Sequence, residues 1–230
     1  MSLQILLVRH GQTEWNKQQR IMGRLPVGLN AEGRRQARLL GTALKEVAID
    51  RIYTSPLKRA CETAAFLKNG RRIRLEKAEA LKEIEYGQWV GRTFSEIRYD
   101  PAYRIYHTQP SRSRVPGGES LIAVRKRAVG FIESLRKKWS KGGMLVTVSH
   151  ADVIKLILTH YLSLDIDNFQ RIRIDNGSLS LLFFEESPPK GGSPKGGSSR
   201  GPKRERVITI NSHPYLDKAS QLWIPRRLYG

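Results

Sequence analysis

A short apolar run that ends abruptly in a polar turn constrains the fold of this chain more than any other feature. Residues 5–8 read Ile-Leu-Leu-Val and are followed at once by Arg9 and His10. A run of this kind predicts a buried β-strand, so both polar residues fall at its carboxyl end. Open α/β sheets place their ligand sites at that end. A histidine there can act as a nucleophile, and a neighbouring arginine can hold an anion beside it.

The same pattern of strand, polar turn and helix occurs twice more, in residues 52–64 and 145–152. Arg59 falls near the first turn of one predicted helix, and His150 falls at the start of the other. Further strand signals bring the predicted strands to 4–8, 51–54, 144–148, 179–184 and 206–210. Strands that alternate with helices predict an α/β fold with three layers, α/β/α, in which helices cover both faces of a mostly parallel sheet.

Apolar residues at steps of three and four positions predict the helices between these strands. Three such series are Ala37, Leu40, Leu44 and Val47; Leu121, Val124, Ala128, Phe131, Leu135 and Trp139; and Val153, Ile154, Ile157, Leu158 and Leu162. Asn30 is a suitable N-cap for the first long helix, and Pro56 suits the beginning of the second.

A chain of 230 residues suits one large domain or two small ones, and we assign residues 1–230 to a single globular domain. Hydrophobic residues make up 39% of the 230, and no apolar stretch approaches the roughly 20 residues of a membrane span. The first strand begins almost at once, which predicts no secretory signal. The lone cysteine, Cys61, forms no internal disulfide, which fits a cytoplasmic location.

The chain is strongly basic, with 41 Lys and Arg against 21 Asp and Glu, for a net charge of +20. Such a field speeds encounters with anions, including phosphorylated metabolites and nucleic acid. Residues 187–206 combine 13 Gly, Pro and Ser with six basic residues and lack aliphatic and aromatic side chains. This composition predicts a disordered loop inserted into a hairpin. A tether to nucleic acid or another polyanion is the less favoured interpretation, and a tolerated insertion is the favoured one.

Five motifs in order resemble those of the histidine phosphatase superfamily, in the branch of phosphoglycerate mutases and their phosphatase relatives. They are Arg9-His10-Gly11, residues 55–60, Leu81-Lys82-Glu83 with Gly87 and Trp89, residues 116–120, and Ser149-His150. The resemblance runs from residue 3 to about residue 184. It resumes near residue 207, where residues 211–216 match the family's ending. It implies a phosphoglycerate mutase-like fold.

The resemblance also implies a chemistry without metal or cofactor. His10 would attack the phosphoryl group and form a phosphohistidine, while Arg9, Arg59 and His150 hold the phosphate oxygens. Asn16 would also contact the phosphoryl group, and Gly23 would let backbone approach it. Arginine suits this task because its planar fork pairs with two phosphate oxygens. The attacking nitrogen of His10 must be unprotonated, so its other ring nitrogen should donate to a fixed acceptor, such as a backbone carbonyl.

The departing oxygen needs a proton, which a carboxylic acid with a raised pKa can supply. The family's spacing selects Glu83 for this role, although an extended segment would place Glu85 on the same face. Met22 and Val90 replace residues that are polar in many family members. Met22 removes a polar side chain from the predicted pocket rim, which predicts a substrate preference different from that of those family members.

A probable cap segment, residues 92–115, carries basic and aromatic residues that suit an anionic or ring-bearing leaving group. Arg112 and Arg114 are therefore predicted to favour multiply charged substrates. His107 lies in the same segment, where it could touch substrate, although a surface role is favoured. The five histidines show no close-paired metal spacing.

Two reactions use the same residues: hydrolysis of a small phosphorylated metabolite, and phosphoglycerate mutase-type return of the phosphoryl group to another hydroxyl. A mutase must exclude water while its substrate reorients. Only 34 residues lie between Glu83 and Gly118, fewer than is usual for mutases, which favours a phosphatase with an open cap. A basic scaffold that binds polyanions is the third and least favoured alternative. Sequence leaves the physiological substrate and the oligomeric state open.

Overall fold

The computed structural model describes residues 2–185 and 205–214. Six strands form one sheet in the order β3-β2-β4-β1-β5-β6. They are β1 (Leu3–Arg9), β2 (Arg51–Thr54), β3 (Arg74–Lys77), β4 (Gly143–Ser149), β5 (Leu179–Phe184) and β6 (Glu205–Ser212). The first four strands pair in parallel, whereas β5 runs antiparallel to β1, and β6 antiparallel to β5. The prediction of a mostly parallel sheet is confirmed.

Seven α-helices follow or connect these strands in the described part of the chain. They are α1 (Glu14–Lys17), α2 (Ala31–Ala43), α3 (Lys58–Lys68), α4 (Phe94–Ile97), α5 (Pro101–Thr108), α6 (Leu121–Lys138) and α7 (Ala151–Tyr161). Asn30 caps α2 as predicted, with its side chain accepting a hydrogen bond from the Gly33 amide at 2.8 Å. Val47 lies beyond the end of α2, so this helix is shorter than its apolar pattern, and Pro56 lies two residues before the start of α3.

The core lies on both faces of the sheet because successive side chains of a strand point to opposite faces. In β1, Ile5 and Leu7 pack into the core that α6 and α7 cover, whereas Leu6 and Val8 pack into the core under α2 and α3. All four side chains are fully buried. This arrangement is the predicted three-layer α/β/α architecture.

Among the six described strands, the edge strand β3 is the one that the sequence pattern missed. Its four residues, Arg-Leu-Glu-Lys, lie at the end of the sheet and are only partly covered, so they carry no apolar signal. At the opposite edge, β6 is longer than predicted and already includes Glu205 and Arg206. The remainder of the predicted disordered loop, 187–204, lies outside the described residues. No helix in the described ranges is long and apolar enough to cross a membrane.

Candidate active site

Three parallel strands end side by side and bring the predicted residues together. In the sheet register, Arg9 lies opposite Ser149, and Thr54 lies opposite Val148. The next residue of each strand end continues the pairing: the His10 amide donates to the Ser149 carbonyl at 3.0 Å. His10, Ser55 and His150 therefore meet at the carboxyl ends of these strands, where open α/β sheets bind ligands.

The His10 imidazole is buried and held in one tautomer. Its Nδ1 atom lies 2.7 Å from the Gly11 carbonyl oxygen, and its Nε2 atom lies 3.2 Å from Arg59 Nε. The Arg59 Nε–H can only donate, so Nε2 must be the acceptor and Nδ1 must carry the proton. Burial, together with the charges of Arg59 and Arg9, lowers the pKa of His10 well below 6.5. The ring is therefore neutral at physiological pH, with an unprotonated Nε2 atom whose lone pair accepts from Arg59.

Two arginines concentrate positive charge around this ring. Arg59 is fully buried and donates to the carbonyl oxygens of Gly23 and Leu25, at 2.8 and 3.2 Å. Burial lowers its pKa to about 10. Arg9 donates from Nη1 to the Ile174 carbonyl at 2.7 Å, while its buried Nε finds no partner among the described residues. Neither guanidinium forms an ion pair within the described ranges, so both retain unneutralised charge for an anion.

His150, the N-cap residue of α7, packs against His10 with ring centroids 5.1 Å apart. Its Nε2 atom lies 2.9 Å from Ser55 Oγ, and its buried Nδ1 atom has no hydrogen-bond partner in the described structure. Burial and the charge of Arg59 lower the pKa of His150 well below 6.5. An unpartnered ring nitrogen beside two buried arginines fits an additional contact to a bound oxyanion.

Glu83 approaches His150, with its Oε2 atom 3.8 Å from His150 Nδ1. Burial, and to a smaller extent the charge of Asp152, raises the pKa of Glu83 to about 7. The positive charge of Arg59 acts in the opposite direction. A carboxyl group that is half protonated near neutral pH suits a general acid. Glu85 instead turns toward solvent, 3.5 Å from the guanidinium of Arg24.

Arg127 holds the irregular segment that carries Glu83, a role that its position in a basic run of α6 did not reveal. Its guanidinium donates to the carbonyl oxygens of Ala80 and Lys82, both at 2.7 Å, and more weakly to that of Glu83. Glu119 pairs with the same guanidinium at 3.0 Å. These bonds satisfy backbone carbonyls at and just after a single 3-10 turn, Glu79–Leu81, where no longer helix or strand provides partners.

A cavity of about 730 Å³ opens over the strand ends, and Arg9, Arg59 and Glu83 line it. Asn16 also lines it, with its side-chain oxygen already bound by the Thr13 amide, so its amino group is the part left for a ligand. Gly23 borders the same space with a φ of +51°, and a Cβ there would lie 2.8 Å from Val90. Glycine is therefore required at this point, both because the backbone has a positive φ and because Val90 leaves no room for a Cβ atom.

The cap segment contributes to the cavity differently from the prediction. Phe94, Tyr103 and His107 line it, whereas Arg112 and Arg114 do not. Arg112 lies on the surface near Gln109 and Arg114 pairs with Ser120 through a backbone bridge, because the chain turns away from the cavity after α5. The expectation that these two arginines contact substrate is wrong. His107 contributes an exposed ring at the cavity mouth.

The loop before β5, which contains Asp175 and Asn176, contacts the site next to His10. Asn176 donates to the carbonyl oxygen of His10 and to the side-chain oxygen of Asn16, both at 3.2 Å. Asn211 of β6 fastens this loop, since its side chain accepts from the Asp175 amide at 2.6 Å and donates to the Asp175 carboxylate at 2.9 Å. Asn211 belongs to the ending noted in the sequence, but its link to the site is visible only in the fold.

Asp152 and Lys155 of α7 also line the cavity and form a partly buried ion pair, 3.0 Å apart. The sequence did not single them out, although a charged residue two positions after His150 in an otherwise apolar helix was an available signal. Within residues 2–185 and 205–214, no group of three or more His, Cys, Asp or Glu side chains is arranged to hold a metal ion.

Known proteins with similar sequences and structures include phosphoserine phosphatases and a probable phosphoglycerate mutase. Phosphoserine phosphatase 1 of Hydrogenobacter thermophilus is 34% identical over 187 residues, which cover 80% of this chain and 88% of that protein. A probable phosphoglycerate mutase of Proteus mirabilis, GpmB, is 31% identical over 81% of this chain and 87% of its own length. A mutant phosphoserine phosphatase of Entamoeba histolytica, solved with phosphoserine, superposes with a TM-score of 0.78 at 25% identity, covering 93% of this chain and 99% of that one.

The family model that matches this chain covers the whole of the assembled site. It spans residues 5–190, from β1 to just beyond β5, and therefore includes every residue described above except those of β6. The chain belongs to the histidine phosphatase superfamily, branch 1.

Proposed function

We propose that this protein is a phosphomonoesterase that hydrolyses a small phosphorylated metabolite through a phosphohistidine. The observation that carries the proposal is the state of His10. Its Nε2 lone pair is held as an acceptor beside two buried, unneutralised arginines, while Nδ1 is bound to the Gly11 carbonyl. A neutral imidazole in a cationic pocket can attack phosphorus without first losing a proton. The pocket favours the anionic substrate over water.

In this mechanism a phosphoryl group replaces Arg59 as the partner of His10 Nε2. His10 does not line the cavity, because the Arg59 guanidinium covers its Nε2 atom. The phosphate oxygens would take the donors of Arg59, Arg9 and the Asn16 amino group, with His150 Nδ1 completing the set. Charge spread over three equatorial oxygens makes such positioning and cationic stabilisation the main source of catalysis.

Glu83 is assigned the proton transfers. As the phosphorus–oxygen bond breaks, protonated Glu83 gives its proton to the departing oxygen, and the alcohol leaves. The resulting carboxylate then takes a proton from the water that attacks the phosphohistidine, which releases inorganic phosphate and restores His10. One group can serve both steps because its pKa, about 7, lies near the operating pH.

Hydrolysis is favoured over mutase transfer because the cavity is open to water. Its mouth is formed by side chains that remain exposed, such as His107 and Arg173, and the described cap helices are short. A mutase would need to retain its substrate in a closed site between the two transfers. Because one relative is a probable phosphoglycerate mutase, mutase transfer is the alternative reaction to be tested.

The experiment that tests the proposal compares wild type with His10→Ala on an aryl phosphate, in EDTA, between pH 5 and 8. We expect turnover in wild type and a loss of at least about a thousandfold in the variant. Acid-labile phosphate on the protein, trapped during turnover, should disappear in the same variant. Equal turnover in both proteins would reject His10 as the nucleophile. Interconversion of phosphoglycerates faster than phosphate release would instead support a mutase.

The remaining parts of the proposal follow the sequence expectations. We assign the whole chain to one catalytic domain with 92–115 as its cap, and place it in the cytoplasm. The relatives make phosphoserine the first substrate to test. Binding of nucleic acid through the basic surface is not favoured. Salt-dependent binding that disappears when residues 187–206 are deleted would reverse that judgement.

A further inference from the structure

The Asp152–Lys155 pair lies in the cavity wall beyond the proposed phosphate site. Both residues follow His150 on α7, and Lys155 is about 7.5 Å further along the helix axis than His150, at 1.5 Å per residue. A short carbon chain attached to a phosphate at His150 would reach this distance. The two side chains are only 15% and 14% exposed, so the pair faces the cavity and not bulk solvent.

Neighbouring side chains fix the Asp152 carboxylate. One of its oxygens, Oδ2, accepts hydrogen bonds from the hydroxyl of Tyr86, at 2.7 Å, and from that of Tyr106. The other, Oδ1, accepts from Lys155 at 3.0 Å. A carboxylate has about four acceptor positions, so one position on Oδ1 remains open.

Lys155 is fixed in the same way. Its ammonium group donates to Asp152 and to the side-chain oxygen of Gln170, each at 3.0 Å, and lies 5.5 Å from the centroid of the Phe169 ring. An ammonium group has three donors, and no described residue accepts the third. The pair thus presents one open donor beside one open acceptor, both charged and both held by buried or partly buried partners.

From this arrangement we propose that Asp152 and Lys155 form a leaving-group subsite for a zwitterion, with Lys155 binding a carboxylate and Asp152 binding an ammonium group. The class of substrate is a phosphorylated amino acid with a short side chain. This inference rests on the proposed phosphomonoesterase function and specifies its substrate. Two charged hydrogen bonds side by side select a zwitterion over a leaving group that carries only one of the charges.

Other cations near the cavity are less suited to this task. Arg173 is 83% exposed at its side chain and already pairs with Asp175, 2.9 Å away. Arg20 donates to the carbonyl oxygen of Gly91 and lies over the ring of Trp15, 5.6 Å from its centroid. An exposed or occupied guanidinium discriminates weakly between ligands, because water and salt compete for it.

The test uses four phosphate esters that share an ethyl phosphate unit. Ethyl phosphate carries neither charge, phosphoethanolamine adds the ammonium, 3-phosphooxypropanoate adds the carboxylate, and phosphoserine carries both. For each ester, kcat/KM is measured and divided by the value for ethyl phosphate in the same protein. This ratio cancels any change that a substitution causes in the chemical steps common to all four.

Wild type should prefer phosphoserine. Lys155→Met should lower the ratio at least tenfold for the two esters with a carboxylate, and Asp152→Asn should do the same for the two with an ammonium, since charged hydrogen bonds are lost. Lys126→Met removes the same charge from an exposed position on α6 and should leave all ratios within about twofold. If Lys155→Met fails to fold, Asp152→Asn, which keeps the shape of the side chain, decides the test.

Ratios that stay unchanged in Asp152→Asn, or that fall equally for all charged esters in both variants, would overturn the subsite. So would a wild-type enzyme with no preference among the four esters. Failure of the proposed function looks different, because wild type would then hydrolyse neither ethyl phosphate nor an aryl phosphate in a manner dependent on His10.

Discussion

Replacing Glu83 by glutamine is expected to stabilise the protein in mildly alkaline solution while removing its proposed proton donor. Only 12% of the Glu83 side chain is exposed. Burial, together with the charge of Asp152, raises the pKa of Glu83 from 4.5 to about 7. The folded protein therefore binds this proton more tightly than the unfolded chain. The resulting contribution to stability is complete below pH 4.5 and is lost as the pH rises through 7.

The size of the effect follows from the two pKa values. A rise from 4.5 to about 7 corresponds to about 3 kcal/mol, at about 1.4 kcal/mol for each pH unit. Glutamine has the shape of the protonated acid and does not ionise. The free energy of unfolding of Glu83→Gln should therefore exceed that of wild type by less than about 1 kcal/mol at pH 5, and by about 3 kcal/mol at pH 8.

Urea unfolding followed by tryptophan fluorescence measures this difference. The buffers must be free of phosphate, because an anion bound to the native state would add its own stabilisation. Glu46→Gln is a suitable control, since the Glu46 side chain is 74% exposed and its replacement should change stability by no more than about 0.5 kcal/mol at either pH. An advantage of Glu83→Gln that is the same at pH 5 and pH 8 would refute the assignment of a raised pKa to Glu83.

Four further outcomes are expected. The kcat/KM of wild type for ethyl phosphate should fall about tenfold per pH unit above pH 7 as Glu83 loses its proton, and a flat profile to pH 9 would contradict this. Arg59→Lys should lower kcat/KM by about a hundredfold or more in steady-state assays, because a single ammonium cannot replace the paired donors. Asn211→Ala should weaken competitive inhibition by inorganic phosphate about tenfold, with the fold intact by circular dichroism, because it fastens the loop beside the site. Arg112→Gln and Arg114→Gln should leave KM for charged substrates within about twofold, since neither residue lines the cavity.

Local pattern was sufficient for most of the sheet. Four of the six strands are buried apolar runs, so their hydrophobicity reports their environment directly. The strand β3 was not predicted because it lies at the sheet edge, where partial exposure removes the need for apolar residues. Helix ends were less accurate, as at Val47, because an apolar side chain beyond the last turn can still pack on the core.

The candidate site was predictable to the extent that it follows strand ends. His10 and His150 come directly after β1 and β4, and Arg59 begins the helix after β2, so a parallel sheet must bring them together. Arg112 and Arg114 were misplaced because composition says that a segment is basic without saying which way it turns. Lys155 was missed because a single charged residue in a helix does not indicate a function until its neighbours in space are known.

The sequence by itself determined the three units of strand, turn and helix, and with them the candidate nucleophile and the candidate cations around it. Only the tertiary structure decided their chemical state. The tautomer of His10 depends on Arg59, 49 residues away, and the loop beside it depends on Asn211, 36 residues beyond its partner Asp175. The raised pKa of Glu83 depends on burial and on Asp152. Such properties arise from distances, burial and hydrogen bonds between remote segments, and these exist only once the chain has packed.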